Sequence, residues 1–459
     1  MHYVSTNSNA QNATGKFNFY LVKSIIVGAL GGLLFGFDTA VIAGTTRALT
    51  EAYQLSPGRL GLTVASALWG TVLGSLFAGV PSDRWGRRAA LRALAVLYVV
   101  TALGCALAWD WPSFVFFRLL SGLAIGGSSV IGPMYIAEIA PASKRGRLVG
   151  FFQFNIVAGI LLAYFSNYVV GQMGFGAAEW RWKLGVAAAP ALLFFLALFG
   201  IPQSPRWLVR RGAAAEAREV FVRIGEPDPD AEVRDIVESL GAETRQRGEP
   251  LFIRKYRLPI FLAVSIGVFN QLSGINAILY YLNDIFERAG FNKVSSDLQA
   301  VAIGFTNLLF TVIAMSVIDR LGRKKLLLIG ATGTASCLAG VAFIFATGHR
   351  EGLLVWLLIA YIAFFAFSQG AVIWVYLSEV FPNVVRAKGQ SLGSFTHWIM
   401  NAMISGVFPL LAEASRSAPF VFFAAMTVVQ FFVVLSVYPE TKGFTLEEMQ
   451  KRIGVGTAH

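Results

Sequence analysis

Two charged residues stand inside otherwise apolar runs. Asp38 closes Leu33-Leu34-Phe35-Gly36-Phe37-Asp38, and Arg118 sits in Phe116-Phe117-Arg118-Leu119-Leu120. A charge at the middle of a membrane-spanning helix costs at least about 2.5–3.5 kcal/mol, so such a residue faces an interior cavity and has a partner. Each is the other's natural candidate. In a low-dielectric interior a carboxyl group keeps its proton when a guanidinium is distant and gives it up when one is near. Two arrangements that differ in that distance therefore load and release a proton; a static ion pair is the alternative use of the same two residues. Gln153, Gln271, Asn276 and Asn401 also fall in apolar runs. A carboxamide donates and accepts at once, which suits a polar but uncharged ligand, although hydrogen bonding between neighbouring helices is the ordinary role of such residues. No metal-ligand cluster, nucleophile–base arrangement or phosphate loop accompanies them, and His2, His349 and His459 are scattered over a terminus and a loop. Neither enzyme chemistry nor a cofactor is expected.

The elements that position these groups follow from composition. Of 459 residues 56% are hydrophobic and 14% charged, and the mean hydropathy is +0.62. A soluble domain carries roughly 45–50% apolar and about 25% charged residues, so this is a membrane protein. A transmembrane helix needs about 20 apolar residues. Runs of that length lie near 20–46, 60–80, 89–109, 112–139, 147–171 and 182–201. A second set lies near 258–286, 299–318, 325–347, 353–380, 388–412 and 418–438. They are too long for barrel strands and lack the alternation of a barrel. The 46 glycines suit helices packed closely through small residues. The expected class is an all-α membrane protein with twelve transmembrane helices.

The net charge of +12 is an orientation signal. With both ends cytoplasmic, the external loops hold Arg47, Arg59, Arg181, Lys183, Arg288, Lys293, Arg350 and Arg416. Arg118 lies within a span, which leaves 29 of the 38 basic residues inside. That asymmetry is the positive-inside rule, and it removes any need for a nucleic-acid partner. Residues 1–19 are polar and show no cleavable signal peptide. The Asn12-Ala13-Thr14 glycosylation pattern is then cytoplasmic and accidental, and Cys105 and Cys337 are buried small side chains.

The chain also repeats itself. Asp83-Arg84-Trp85-Gly86-Arg87-Arg88 recurs as Asp319-Arg320-Leu321-Gly322-Arg323-Lys324 at an offset of 236 residues. Tyr135-Ile136-Ala137-Glu138 with Pro141 and Arg145 recurs as Tyr376-Leu377-Ser378-Glu379 with Pro382 and Arg386, at 241. Pro202-Gln203-Ser204-Pro205-Arg206 parallels Pro439-Glu440-Thr441-Lys442-Gly443 at 237, and Gly36-Phe37-Asp38 parallels Gly274-Ile275-Asn276 at 238. Four elements in one order at nearly one offset mean two related six-helix halves, the plan of transporters whose site lies between repeats. The expected division is an N-terminal segment 1–19, a first half 20–206, a charged linker 207–257, a second half 258–440 and a tail 441–459. Ala213 to Ile224 and Ala231 to Leu240 read as short surface helices of the linker.

With those motifs quoted, together with Pro133-Met134-Tyr135-Ile136-Ala137-Glu138 and Gln271-Leu272-Ser273-Gly274-Ile275-Asn276, the chain resembles the sugar porters of the major facilitator superfamily. These include bacterial sugar/proton symporters and animal facilitative glucose transporters. The resemblance covers about 20–445 and implies the major facilitator fold, with two pseudo-symmetric six-helix halves. Gln203 departs from it, because the family usually has Glu there.

The resemblance implies a monosaccharide, hexose or pentose, as substrate. It places Gln153, Gln271, Asn276, Trp374, Trp398 and Asn401 at the sugar, with Asn270 replacing the more usual Gln and His397 standing where Gln or Asn is more frequent. His397 is either a sugar partner, a second titrating group or an interhelical hydrogen bonder. Gln271 and Asn276, five apart, share a cavity only if Ser273-Gly274 loosens the helix. An acid at position 38 resembles proton-coupled members, so Asp38 and Arg118 are assigned to proton coupling. Asp83, Arg84, Arg87, Arg88, Glu138, Arg145, Asp319, Arg320, Arg323, Glu379 and Arg386 form the expected cytoplasmic gate, with Gly86 and Gly322 making its tight turns. Tyr280 and Tyr281 with Pro409 are either an outer gate and hinge or packing. The expectation is a monomeric, multi-pass importer of the cell membrane with cytoplasmic termini, whose partners are the sugar, the proton and the lipid bilayer. A passive facilitator of the same fold and a transporter-like sugar sensor are the rivals.

Overall fold

The computed structural model describes residues 18–141, 145–245, 249–382, 384–443 and 448–449. Within them the chain is helical, with twelve helices long and apolar enough to cross a membrane. Helices satisfy their own backbone groups, which is what a lipid interior demands. The spans are, in order, Phe19–Gly44, Pro57–Phe77, Arg87–Leu107, Trp111–Ile139, Arg147–Gln172 and Gly176–Gly200 in the first half. Arg254–Tyr280, Lys293–Leu321, Arg323–Thr347, Glu351–Glu379, Arg386–Ala414 and Ala418–Val437 make the second. Their starts are written in short polar residues: Asn18 and Asn292 cap spans 1 and 8, Ser56 followed by Pro57 opens span 2, and Asp110 forms a capping box with Ser113 at span 4.

Spans 6, 7 and 10 are not continuous. Span 7 runs as Arg257–Leu272, turns through Gly274 at φ 84°, and resumes as Ile275–Tyr280. A left-handed residue there must be glycine, and a Cβ would also lie 2.3 Å from the Phe423 ring. Span 6 begins at Gly176, not at 182. Lys183, expected in an external loop, is therefore inside the span and fully buried. The apolar run 182–201 already contained Lys183; the count of external cations placed it in a loop because a helix turn carrying Glu179, Arg181 and Lys183 looks like one until its charges find partners.

Within the first half span 2 packs on span 4 and span 1 on span 5; in the second, span 9 packs on span 12 and span 7 on span 11. Spans 2 and 11, and spans 5 and 8, join the halves. Large side chains such as Phe77, Leu193, Phe199, Phe305, Trp356 and Phe432 stay exposed, as a lipid-facing belt requires. The buried apolar side chains form three clusters. One, holding Phe37, Leu55, Trp180, Tyr280, Phe286 and Tyr361, is built from both halves. The others keep to one half each: Leu21, Tyr135 and Phe194 with linker residues such as Phe221, and Leu262, Leu326 and Tyr376. The latter two flank the repeated Asp-Arg loops. The halves are thus packed together at the face opposite those loops and separate toward them.

Candidate functional site

Asp38 and Arg118 meet. Arg118 Nη1 lies 2.9 Å from Asp38 Oδ2, and Ser121 Oγ donates to Asp38 Oδ1 at 2.8 Å. Ser121 follows Arg118 by three residues, so both side chains leave span 4 on one face. Glycine makes the approach: a Cβ on Gly36 would lie 1.8 Å from the Ile156 carbonyl of span 5, and one on Gly122 would lie 1.8 Å from the Ala67 carbonyl of span 2. Arg118 is 3% exposed and its Nε has no hydrogen-bond partner. The guanidinium is thus only partly engaged and retains a donor for a second arrangement. Beside the pair lies a cavity lined by Phe35, Asp38, Thr39, Thr71, Arg118 and Tyr280, and Tyr280 belongs to the other half. Ser121 was missed by sequence reasoning; a hydroxyl three residues from a mid-span arginine is the signal that finds it.

Asn270, Gln271 and Asn276 form one network with His397. Gln271 Nε2 donates to Asn270 Oδ1 at 3.1 Å and lies 3.2 Å from each ring nitrogen of His397. Asn276 Nδ2 donates to Gln271 Oε1 at 3.0 Å. The turn at Gly274 brings residues five apart onto one site. Trp374 and Trp398 flank His397, with ring centroids 5.2 and 5.0 Å from it, and Phe35 of the first half lies 5.3 Å from Trp398. Asn401 stands apart from these bonds: its Nδ2 donates to Tyr280 Oη at 3.2 Å, its Oδ1 accepts from Ser405 Oγ at 3.1 Å, and Tyr280 lines the cavity beside Asp38. Gln153 is half-buried on span 5 and takes no part in these bonds. Buried neutral donors and acceptors between aromatic faces suit a compact, hydroxyl-rich molecule with apolar C–H faces.

At the face of the Asp-Arg loops the two halves repeat one design. Arg87 grips Glu138 through Nη2 and Oε1 at 2.8 Å and Asp83 at 2.8 Å. Arg323 grips Glu379 at 2.7 Å and Asp319 at 3.0 Å. Gly86 and Gly322 sit at φ 86° and 89°, and a Cβ on them would strike Gln203 or Glu440. The Gln203 side-chain oxygen accepts from the backbone N–H of Arg88 at 3.0 Å; the Glu440 carboxylate accepts from those of Arg323 and Lys324 at 2.8 and 3.1 Å. Arg88 also donates to the Ile201 carbonyl, Arg386 to the Phe381 carbonyl, and the carbonyls of Arg84 and Arg320 accept from Arg211 and Lys442. Arg145 is exposed. Each of these contacts stays within its own half.

The opposite face is bridged. Lys183 Nζ of span 6 lies 2.8 Å from Glu179, 3.3 Å from Asp297 of span 8 and 3.2 Å from the Gly44 carbonyl. Asn283 donates to Asp297 at 2.5 Å, and Lys293 reaches back to Glu179 at 2.6 Å. Arg47 pairs with Glu287 at 3.0 Å across the halves, and Tyr164 donates to the Leu279 carbonyl at 2.8 Å. Tyr281, stacked on Phe408, donates to the Ser405 carbonyl, and the tyrosine pair of span 7 thus lies where the halves are closed.

A model of the sugar (and other) transporter family matches residues 24–452. The D-xylose-proton symporter of Escherichia coli is 36% identical, the match covering 94% of this chain and 95% of that protein. The arabinose-proton symporter of Bacillus subtilis is likewise 36% identical over the same shares. Among solved structures, the inward open conformation of the xylose transporter XylE from E. coli matches with a TM-score of 0.84 at 34% identity, covering 94% of this chain and all of that one. With a family match across nearly the whole chain and the major facilitator architecture in the fold, the protein belongs to the sugar transporter family.

Proposed function

We propose that this protein is a proton-coupled monosaccharide importer working by alternating access. It acts as a monomer in the cell membrane, with both termini and the Asp-Arg loops on the cytoplasmic side, where 29 basic residues gather. The observation that carries the reading is the Asp38–Arg118–Ser121 cluster, placed beside a cavity that also holds Tyr280 of the second half. The symporters of xylose and arabinose among its relatives point the same way.

The halves 20–206 and 258–440, joined by 207–257, are the moving bodies. Sugar enters from outside and is held by Gln271, Asn276, Trp374, Trp398 and Asn401, with Asn270 and His397 shaping the site and Gln153 joining from span 5 as the halves close. A proton on Asp38 removes the charge that holds Arg118, which frees the guanidinium and its unpaired Nε to take another partner. That exchange biases the halves toward closing outside and separating inside; the arrangement seen here, with Asp38 and Arg118 paired at 2.9 Å, is the one that follows proton release. Loss of the proton to the cytoplasm restores the pair. Meanwhile the cytoplasmic networks of Arg87 and Arg323 release and re-form across the halves when that side closes.

Asp38→Asn tests the assignment. In proteoliposomes the variant should lose uphill sugar accumulation under an inward proton gradient, while exchange of labelled for unlabelled sugar persists. Accumulation that survives the substitution unchanged removes Asp38 from the coupling step.

A further inference from the structure

Span 10 changes its winding at Ala366–Gly370, a π-helical stretch between Leu354–Phe365 and Ala371–Glu379. Such stretches are rare and collect at functional positions. Within it Gln369 is 1% exposed, and neither its Oε1 nor its Nε2 has a hydrogen-bond partner. Asn167, Asn283 and Gln430 also keep an open oxygen, but the first two have nitrogens bonded to the Val41 carbonyl and to Asp297, and in Gln430 only the oxygen is an enclosed atom without a partner. Among the described residues Gln369 is the carboxamide buried with both ends open. Such a group destabilises the empty protein, and a methionine of similar size would not.

Its place in the fold ties it to the amide network. The Gln369 carbonyl accepts from Asn270 Nδ2 at 3.5 Å, and Asn270 in turn accepts from Gln271. Trp374, which flanks His397, lies further along the same broken span. One free donor and one free acceptor on a single group match one hydroxyl, which itself accepts and donates.

We propose that Gln369 is a specificity-determining residue of the sugar site, its carboxamide taking one hydroxyl of the bound monosaccharide. The assignment rests on the transport reading above. The hydroxyl donates to Oε1 and accepts from Nε2, so both open atoms are satisfied only when the sugar is present. A sugar that lacks this hydroxyl leaves the amide unpaired, and sites built to hydrogen-bond a hydroxyl reject such analogues strongly.

The test uses the full-length protein in proteoliposomes, as wild type, Gln369→Met and Gln369→Ala. The substrates are a panel of hexoses and pentoses with the monodeoxy analogues of whichever sugar the wild type carries. Gln369→Met should unfold at or above the wild-type temperature and show KM raised about tenfold for the full sugar, the equivalent of about 1.4 kcal/mol. One monodeoxy analogue should be carried within about twofold by wild type and variant alike, and that analogue identifies the hydroxyl read. Gln369→Ala should reproduce the pattern and decides the matter if the Met variant does not fold. Equal weakening across all analogues, or KM unchanged in both variants, overturns the assignment alone. A wild type that carries none of these sugars overturns the transport reading and this residue's role with it.

Discussion

The two ends of the bundle hold their charges in opposite ways. At the face of the Asp-Arg loops, Arg87 and Arg323 are each buried against a carboxylate of their own half. At the other face, Lys183 and Asp297 are both buried, and they come from different halves. The chemistry is the same, a basic side chain among carboxylates, but one arrangement strengthens a half and the other holds two halves together. In the arrangement seen here the second is the one that spans the halves, and its partners must part when that face opens. The cluster of Lys183, Lys293, Glu179 and Asp297 is also neutral as a set. Its buried members, Lys183 and Asp297, are thus closed in without an uncompensated charge, while Lys293 reaches in from a half-exposed position.

The strongest way to break this contrast is to remove one partner. Asp297→Ala removes the carboxylate that the other half offers Lys183 and leaves it with Glu179 of its own span at 2.8 Å. Breaking a buried pair from one side costs about 3–5 kcal/mol, an upper bound here because Glu179 stays. The cost should fall on the closed arrangement. A cysteine introduced at Ala289, 4% exposed here, should then react far faster with an impermeant thiol reagent from that side. The double variant Lys183→Met/Asp297→Leu should restore most of the protection. Unchanged labelling in the single variant would mean the cluster does not hold the halves.

A smaller effect separates the two networks of the other face. Glu440 meets the backbone N–H groups of Arg323, Lys324, Thr441 and Lys442 with a carboxylate; Gln203 meets those of Arg88 and Ser204 with an amide oxygen. Hydrogen bonds to an ionised acceptor are the stronger kind. Glu440→Gln is therefore expected to cost about 1–2 kcal/mol in thermal unfolding, and Gln203→Glu to gain about half that. Equal melting temperatures for wild type and Glu440→Gln would show that charge adds nothing to the clasp.

The smallest effect is a pH dependence at the bridged face. Asp284, packed near Thr46, Glu287, Arg288 and Arg47, has its carboxyl pushed up to about 7, chiefly by burial. An unfolded aspartate titrates near 3.9. The folded protein therefore binds this proton more tightly than the unfolded chain, and the contribution to stability is full below about pH 4 and declines as pH rises to about 7. Asp284→Asn should flatten that part of the unfolding profile. A variant whose profile still falls over the same range would exclude Asp284 as its source.

Much of the site could be read from residue order because its signals are local. A lone acid and a lone base in apolar runs are conspicuous, and Asp38 and Arg118 do meet. Gly86, Gly274 and Gly322 were legible for the same reason, since each interrupts a helix at a motif. Lys183 was misread because its burial depends on carboxylates 4 and 114 residues away. Gln153 was grouped with the amides by residue type, but it lies half-buried on span 5 of the first half, outside the bonds that Asn270, Gln271 and Asn276 make. Ser121 is legible only through its spacing from Arg118, and Gln369 carried no signal by itself, being an amide in a span whose change of winding at Ala366–Gly370 is a feature of the folded chain.

The sequence by itself determined the membrane class, the twelve spans, the duplicated plan and the buried acid–base pair. Hydropathy, helix length and the cost of a charge in lipid act on short stretches and leave little choice. The tertiary structure decided which face is bridged, which half each arginine serves and which amide is left without a partner. Those are outcomes of packing between segments 51 to 114 residues apart, where a shift of one segment against another changes the partners and alters no residue.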